Sequence, residues 1–184
     1  MKSYKALNNQ IYSTGIFSLV PIRFEDKLDI MKWRNEQLYH LRQEKPLTLE
    51  NQEKYFNDVV SNLFEQEKPN QILFSFLEND ICVGYGGLVR INWLDKNAEI
   101  SFIMKTELEK NNFEKYWIKY LRLIEEVGFN EVRLKKIYVY AFDLRPHLYK
   151  ILEKVNYFLD ARLKSHCKIK NCYKDVVIYS KIKL

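Results

Sequence analysis

The sequence predicts an α+β (α/β mixed) domain built on one mixed, mainly antiparallel twisted sheet flanked by helices, and three observations carry that expectation. Apolar residues recur at helical spacing up to about residue 65, then alternate from Gln71 onward. The runs "QILFSFLEN" and "ICVGYGGLVRINW" meet at Asn79-Asp80, a two-residue hairpin turn. Beyond them the order is strand, helix, strand, helix and two strands, so the sheet is not one simple meander.

Each element has a local reason. Residues 1–16 read as a polar lead before a first strand, "FSLVPIR". "DKLDIMKWRNEQLYHLRQ" places Leu28, Ile30, Met31 and Leu38 near helical spacing, which predicts a helix and a second short helical segment. In "TLENQEKYFNDVVSNLFEQ", Thr48 is the N-cap, and Tyr55, Phe56, Val59, Val60, Leu63 and Phe64 form one apolar stripe. After the hairpin, "NAEISFIM" is a third alternating strand entered through "LDKN". The helix "NFEKYWIKYLRLIEEVGFNEV" is expected to end near Gly128 to Asn130. "KKIYVYAF" is rich in β-branched and aromatic residues, as a buried strand should be. "RPHLYKILEKVNYF" opens with Pro146 at the first helical position, and Asn156 is placed for a left-handed cap. "FLDARLKSHCK" and "CYKDVVIYSKI" close the chain as an antiparallel pair joined at "IKN".

Composition narrows the function. At 184 residues, with 47% hydrophobic and 29% charged side chains, the chain is expected to be one globular domain. The net charge of +6 comes from lysines spread along the chain and interleaved with Glu and Asp, so it suggests anionic small molecules rather than nucleic acid. Cys82, Cys167 and Cys172 form neither a disulfide framework nor a usual zinc spacing, and the three histidines are scattered; no metal is expected. No run approaches the roughly 18 apolar residues of a membrane span, and "MKSYKALNNQIYSTG" lacks a signal-peptide core. A cytoplasmic protein without a membrane partner is expected, as monomer or homodimer.

Three motifs together resemble the GNAT superfamily of acyl-CoA-dependent N-acyltransferases, over residues 17–182. "IMKWRNEQLYHLRQEKPLTLENQEKYF" looks like the N-terminal helix pair of the branch that includes amino-sugar and ribosomal-protein acetyltransferases. "NAEISFIM" looks like the central strand of the family, and "LYKILEKVNYF…DARLK" like its late helix-strand signature.

The resemblance implies acetyl-CoA, or another acyl-CoA, as donor and a small-molecule amine as acceptor. It places Glu99 as the base that takes a proton from the acceptor ammonium, since an amine attacks a thioester only when neutral. Backbone at Ile103 and Met104 would hold the pantetheine arm. The pyrophosphate loop falls on residues 107–112, where glycines are missing. Lys110, Asn111 and Asn112, ahead of Phe113, are the substitutes, with Asn112 offering a left-handed residue. Glu107 would oppose an anion there. The family's Asn and Tyr slots on the last helix hold Arg145 and Leu152, so Arg145 is expected to supply charge to the cofactor and Tyr149 to protonate the thiolate. Asp143 and His147 lie beside them.

On the acceptor side, Arg34, Asn35, Glu36, His40 and Arg42 are expected to line the groove, the arginines suiting a phosphate or carboxylate. Tyr85 lies in "GYGGLV", whose glycines would admit the amine near Glu99. The expected reaction is acetyl transfer to an amino sugar, nucleotide-linked, by direct attack. Alternatives are protein N-terminal acetylation, or a binding module with weakened catalysis.

Overall fold

The change of apolar spacing near residue 70 marks where the chain leaves its first helices for the sheet. The computed structural model describes residues 2–183. Strands β1 (Tyr12–Thr14) and β2 (Phe17–Pro21) precede helix α1 (Lys27–Glu36), a 3-10 turn at Leu38–His40, and helix α2 (Leu49–Lys54). A π-helical stretch, Tyr55–Val60, leads into α3 (Ser61–Glu65). Then come β3 (Gln71–Glu78), β4 (Ile81–Asn92), β5 (Asn97–Met104), α4 (Thr106–Asn111), α5 (Phe113–Glu125), β6 (Lys136–Phe142), α6 (Pro146–Lys154), β7 (Phe158–Ile169) and β8 (Cys172–Ile182).

One eight-stranded sheet forms in the order β1-β2-β3-β4-β5-β6-β8-β7. Every pairing is antiparallel except β5 with β6, which is parallel and holds for only three pairs, ending at Glu99 opposite Tyr138. Beyond that pair each strand stays with its outer neighbour. β5 follows β4 as far as Met104 opposite Gly84, and β6 follows β8 as far as Phe142 opposite Val176. The two strands therefore part, and their facing backbone edges lack a sheet partner from Ile100 and Val139 onward.

Side-chain alternation decides what lies on each face. Tyr85 meets Arg34 of α1, whereas a side chain at the next position, Gly86, would meet Tyr120 of α5. The helices α1 and α5 thus cover opposite faces. Phe102 stacks on Tyr120 at 3.8 Å on the α5 face, and Glu99, Ser101 and Ile103 belong to the α1 face.

Local signals hold up well. Thr48 and Asn51 form a reciprocal capping box. Asn79 and Asp80 have φ of 48° and 64°, and Asn156 has φ of 64°, as the turn and cap require. Two expectations are corrected. The lead belongs to the fold: Tyr4, Leu7 and Tyr12 are buried, the Tyr4 hydroxyl donates to the Leu73 carbonyl at 2.8 Å, and β1 starts the sheet. Leu28 is half exposed, while Ile30 and Trp33 bury the inner side of α1. The strand glycines are required by the close approach of the neighbouring strands. A Cβ on Gly86 would stand 2.0 Å from the Ser101 carbonyl oxygen, and one on Gly87 would stand 1.9 Å from that of Ile72.

Candidate active site

Where β5 and β6 part, a cleft of about 220 Å³ opens, reached by Arg34, His40, Arg42, Glu99, Trp117 and Arg145. Glu99 sits at its apex because it is the last residue of β5 paired with β6. It is 6% exposed, on the sheet face that α1 covers. Two guanidinium groups face its carboxylate. Arg42 Nη2 donates to Oε1 at 3.1 Å, and Arg90 Nη1 lies 3.3 Å from Oε2 without hydrogen-bond alignment. Oε2 is buried without a hydrogen-bond partner. Arg42 also lies over the Tyr140 ring at 4.0 Å, and Arg90 stands at a β4 bulge with φ of 51°.

Arg34 reaches the cleft from α1. Its Nη1 donates to the Tyr85 hydroxyl at 2.6 Å and its Nε to Gln43 at 3.0 Å. A second hollow of about 330 Å³ shares Arg34, Val89 and Ser101 with the cleft and adds Tyr55, Tyr85 and Arg90. Arg34 and Tyr85 thus stand where the two spaces meet. Three arginines and one carboxylate line the first cleft, and the second adds Arg90 with no carboxylate.

Arg145 caps the start of α6 and is 9% exposed, with no carboxylate at ion-pairing distance among the described residues. Its Nη1 lies 3.5 Å from His40 Nε2. Burial, then the charge of Arg145, pushes the His40 imidazole down to about 3, so it is neutral, and its Nε2 also lies 3.2 Å from Gln37 Oε1, an atom that can only accept from it. Burial likewise lowers the pKa of Arg145 itself.

Several expected residues are assigned elsewhere. Asn35 accepts from the Leu47 amide at 2.7 Å and donates to the Leu47 carbonyl at 3.0 Å, so it pins the loop before α2 and does not line the cleft. Glu36 accepts from the Thr106 hydroxyl and ties α1 to α4. The Tyr149 hydroxyl donates to the Phe142 carbonyl at 3.3 Å and its ring stacks on Tyr179, so it is not among the cleft residues; burial, then Asp143, raises its pKa. Leu152, on the slot where the family has its tyrosine, is fully buried.

The stretch read as a pyrophosphate loop is instead the short helix α4. Lys110 and Asn111 end it, and Asn112 joins it to Phe113 at a φ of −136°, not left-handed. The acidic residues Glu107 and Glu109 occupy its first turn. Without glycines the chain satisfies its own amides there by helical turns, such as Asn112 N–H to the Leu108 carbonyl. Met104 is also partly engaged, since the buried Gln37 amide donates to its carbonyl at 2.8 Å and to Thr106 at 3.1 Å. The Ile103 backbone lies in the stretch of β5 that faces the cleft.

Sequence reasoning missed Arg90, Gln37 and Tyr140. None interrupts a periodic pattern, and each matters only through a partner on another element.

An acetyltransferase (GNAT) domain model matches residues 19–178, most of the chain. The chain belongs to the GNAT acetyltransferase family. Solved structures agree in fold. A spermidine N-acetyltransferase from Vibrio cholerae, in complex with CoA and spermine, superposes with a TM-score of 0.78 at 17% identity, covering 92% of this chain and 96% of that one. A dodecameric structure of the V. cholerae enzyme in an intermediate state gives 0.74 at 18% identity, over 92% and 95%. A spermidine N-acetyltransferase chimera from V. cholerae and hSSAT gives 0.73 at 20% identity, over 91% and 96%.

Proposed function

We propose that this GNAT N-acetyltransferase acetylates a small primary amine, with Glu99 as the base at the apex of the β5/β6 cleft. The observation that carries the reading is the buried carboxylate at the point where two strands leave their facing edges open. The fit to acetyl-CoA is uneven. The open edges suit a pantetheine arm, and the buried, carboxylate-free Arg145 suits a phosphate. Helix α4 does not suit one, because Glu107 and Glu109 sit at its positive end. The phosphate role therefore passes to Arg145, with Ile103 backbone on the pantetheine side.

When bound, acetyl-CoA supplies the thioester that the amine attacks. Glu99 accepts one proton from the acceptor ammonium, leaving a neutral nitrogen. Neutral His40 and Arg145 keep charge of one sign at the donor end of the cleft. A thiol of pKa about 8.5 leaves at neutral pH with little help from a proton donor.

For the acceptor we propose an amino sugar, nucleotide-linked, because Arg34 and Arg42, the cleft guanidiniums beside the one assigned to the cofactor, favour an amine that also bears acidic groups. The second reading, a polyamine, rests on the likeness to the V. cholerae spermidine enzyme. A polycation would enter this arginine-lined space against repulsion. Thiol release from acetyl-CoA in the presence of nucleotide-linked amino sugars, spermidine and short peptides separates the readings; turnover of spermidine alone overturns the sugar. Glu99→Gln should lower kcat by about 10²-fold or more with little change in acetyl-CoA affinity. An unchanged rate removes Glu99 as base.

A further inference from the structure

The base in this cleft is covered. Arg42 Nη2, 3.1 Å from Glu99 Oε1, stands where an acceptor ammonium, or a water relaying its proton, must come if Glu99 is to act as base. Arg90 faces the other oxygen at 3.3 Å. The two arginines differ in how they are held. Arg90 is mostly exposed and makes no aligned hydrogen bond to Glu99. Arg42 makes one, and its guanidinium rests on the face of Tyr140 at 4.0 Å.

Arg42 also comes from irregular chain between the 3-10 turn at Leu38–His40 and α2, so a modest change of loop and rotamer moves it. Its side chain is 37% exposed at the mouth of the cleft, against 8% for Glu99. A flat guanidinium sliding on an aromatic ring keeps that contact while changing its hydrogen-bond partner.

We infer that Arg42 is a removable cap on Glu99 and the anion-binding residue for the acceptor. An acidic group on the incoming amine takes the Arg42 guanidinium, and the same movement exposes Glu99 to the ammonium. The acceptor is thus a zwitterion-like amine, with a phosphate or carboxylate within one arginine span of the nitrogen. For such a molecule the exchange replaces one charge-assisted pair by two: acid with Arg42, ammonium with Glu99. A neutral amine must break the Arg42 contact and leave the guanidinium unpaired. A polyamine has the further cost of bringing charge of the same sign. This deepens the proposed function and rests on its assignment of Glu99 as base.

The test is thiol release from acetyl-CoA with matched amines, glucosamine 6-phosphate against glucosamine and β-alanine against propylamine, together with spermidine. The wild type is expected to prefer the acid-bearing member of at least one pair by tenfold or more in kcat/KM. In Arg42→Ala that preference should fall below about threefold, with KM rising for the acid-bearing amine and kcat/KM rising for the neutral one. Arg42→Lys, which keeps the charge but loses the two-pronged geometry, should retain part of the preference. A residue that merely supported the loop would lower both members of a pair alike.

Equal use of both members of each pair by the wild type, a preference for spermidine, or parallel losses in Arg42→Ala with the preference intact in Arg42→Lys each overturns the inference while leaving the acetyltransferase reading in place. Absence of thiol release with every amine, the nucleotide-linked amino sugars included, overturns the acceptor reading and the cap together.

Discussion

Arg145 offers the sharpest separation of structure from function, because its burial works against folding unless an anion arrives. It is 9% exposed, its guanidinium lies 3.5 Å from the neutral His40 ring, and no carboxylate pairs with it among the described residues. Replacing a buried guanidinium by an apolar side chain of similar length is commonly neutral or stabilising. Arg145→Met should therefore leave the melting temperature of the free protein unchanged or raise it.

Acetyl-CoA binding should suffer instead. A hydrogen bond to a charged group contributes about 1.5–3 kcal/mol, which corresponds to roughly 10- to 150-fold in Kd. At free acetyl-CoA 100 times the wild-type Kd, the ligand stabilises the wild type by about 2.7 kcal/mol. The variant under the same conditions should gain only about 0.3–1.3 kcal/mol. For a chain of this size the ligand-induced shift would drop from about 5–11 °C to roughly 1–5 °C. Differential scanning fluorimetry with and without acetyl-CoA, and titration calorimetry for Kd, read both effects. A full ligand shift in Arg145→Met, or a loss of several degrees in the free variant, would refute the reasoning.

Tyr149→Phe should keep kcat within about twofold in the thiol-release assay, since the hydroxyl is directed at the Phe142 carbonyl; a large loss in kcat would restore it as the thiolate's proton donor. Gly86→Ala should cost about 3 kcal/mol or more, seen as a fall of roughly 6–12 °C in melting temperature, because its Cβ would enter the Ser101 carbonyl. For His40, the folded pKa of about 3 lies below the unfolded value near 6.5, so between these limits the unfolded chain binds the extra proton. That contribution to stability is complete above about pH 6.5 and declines as pH falls towards 3, by at most about 1.4 kcal/mol per pH unit. His40→Gln should flatten this part of the urea-denaturation profile, and an identical slope in both proteins would show that another group governs it.

How much of the protein was legible in its sequence depended on the range of the interaction involved. Turns and caps were read correctly where one or two residues decide them, as at Thr48, Asn79-Asp80 and Asn156. The family resemblance pointed to Glu99 through its central strand and to Arg145 through its asparagine slot, and both side chains line one cleft. The pyrophosphate loop was misread because its glycines were replaced by helix formers, and Thr106 to Asn111 then closed into a turn of helix. Asn35 looked like a ligand because it broke an apolar pattern; the structure supplies its partners from Leu47, twelve residues on. Residues 1–16 read as a polar lead because their apolar residues follow no helical or strand period, yet Tyr4 bonds to Leu73 across the domain.

The sequence by itself determined the sheet with its flanking helices, the family, and the carboxylate at residue 99, because periodicity and short motifs are properties of neighbouring residues. Only the tertiary structure decided that β5 and β6 part after Glu99, that Arg42 and Arg90 converge on it, that Tyr149 is turned to Phe142, and that Arg145 is buried without a carboxylate partner. These features bring together residues that no shared motif or period links, from Arg42 and Glu99, 57 residues apart, to Tyr149 and Phe142, 7 apart on different elements. Such contacts arise from which strand edge stays with which neighbour, and no local pattern encodes that choice.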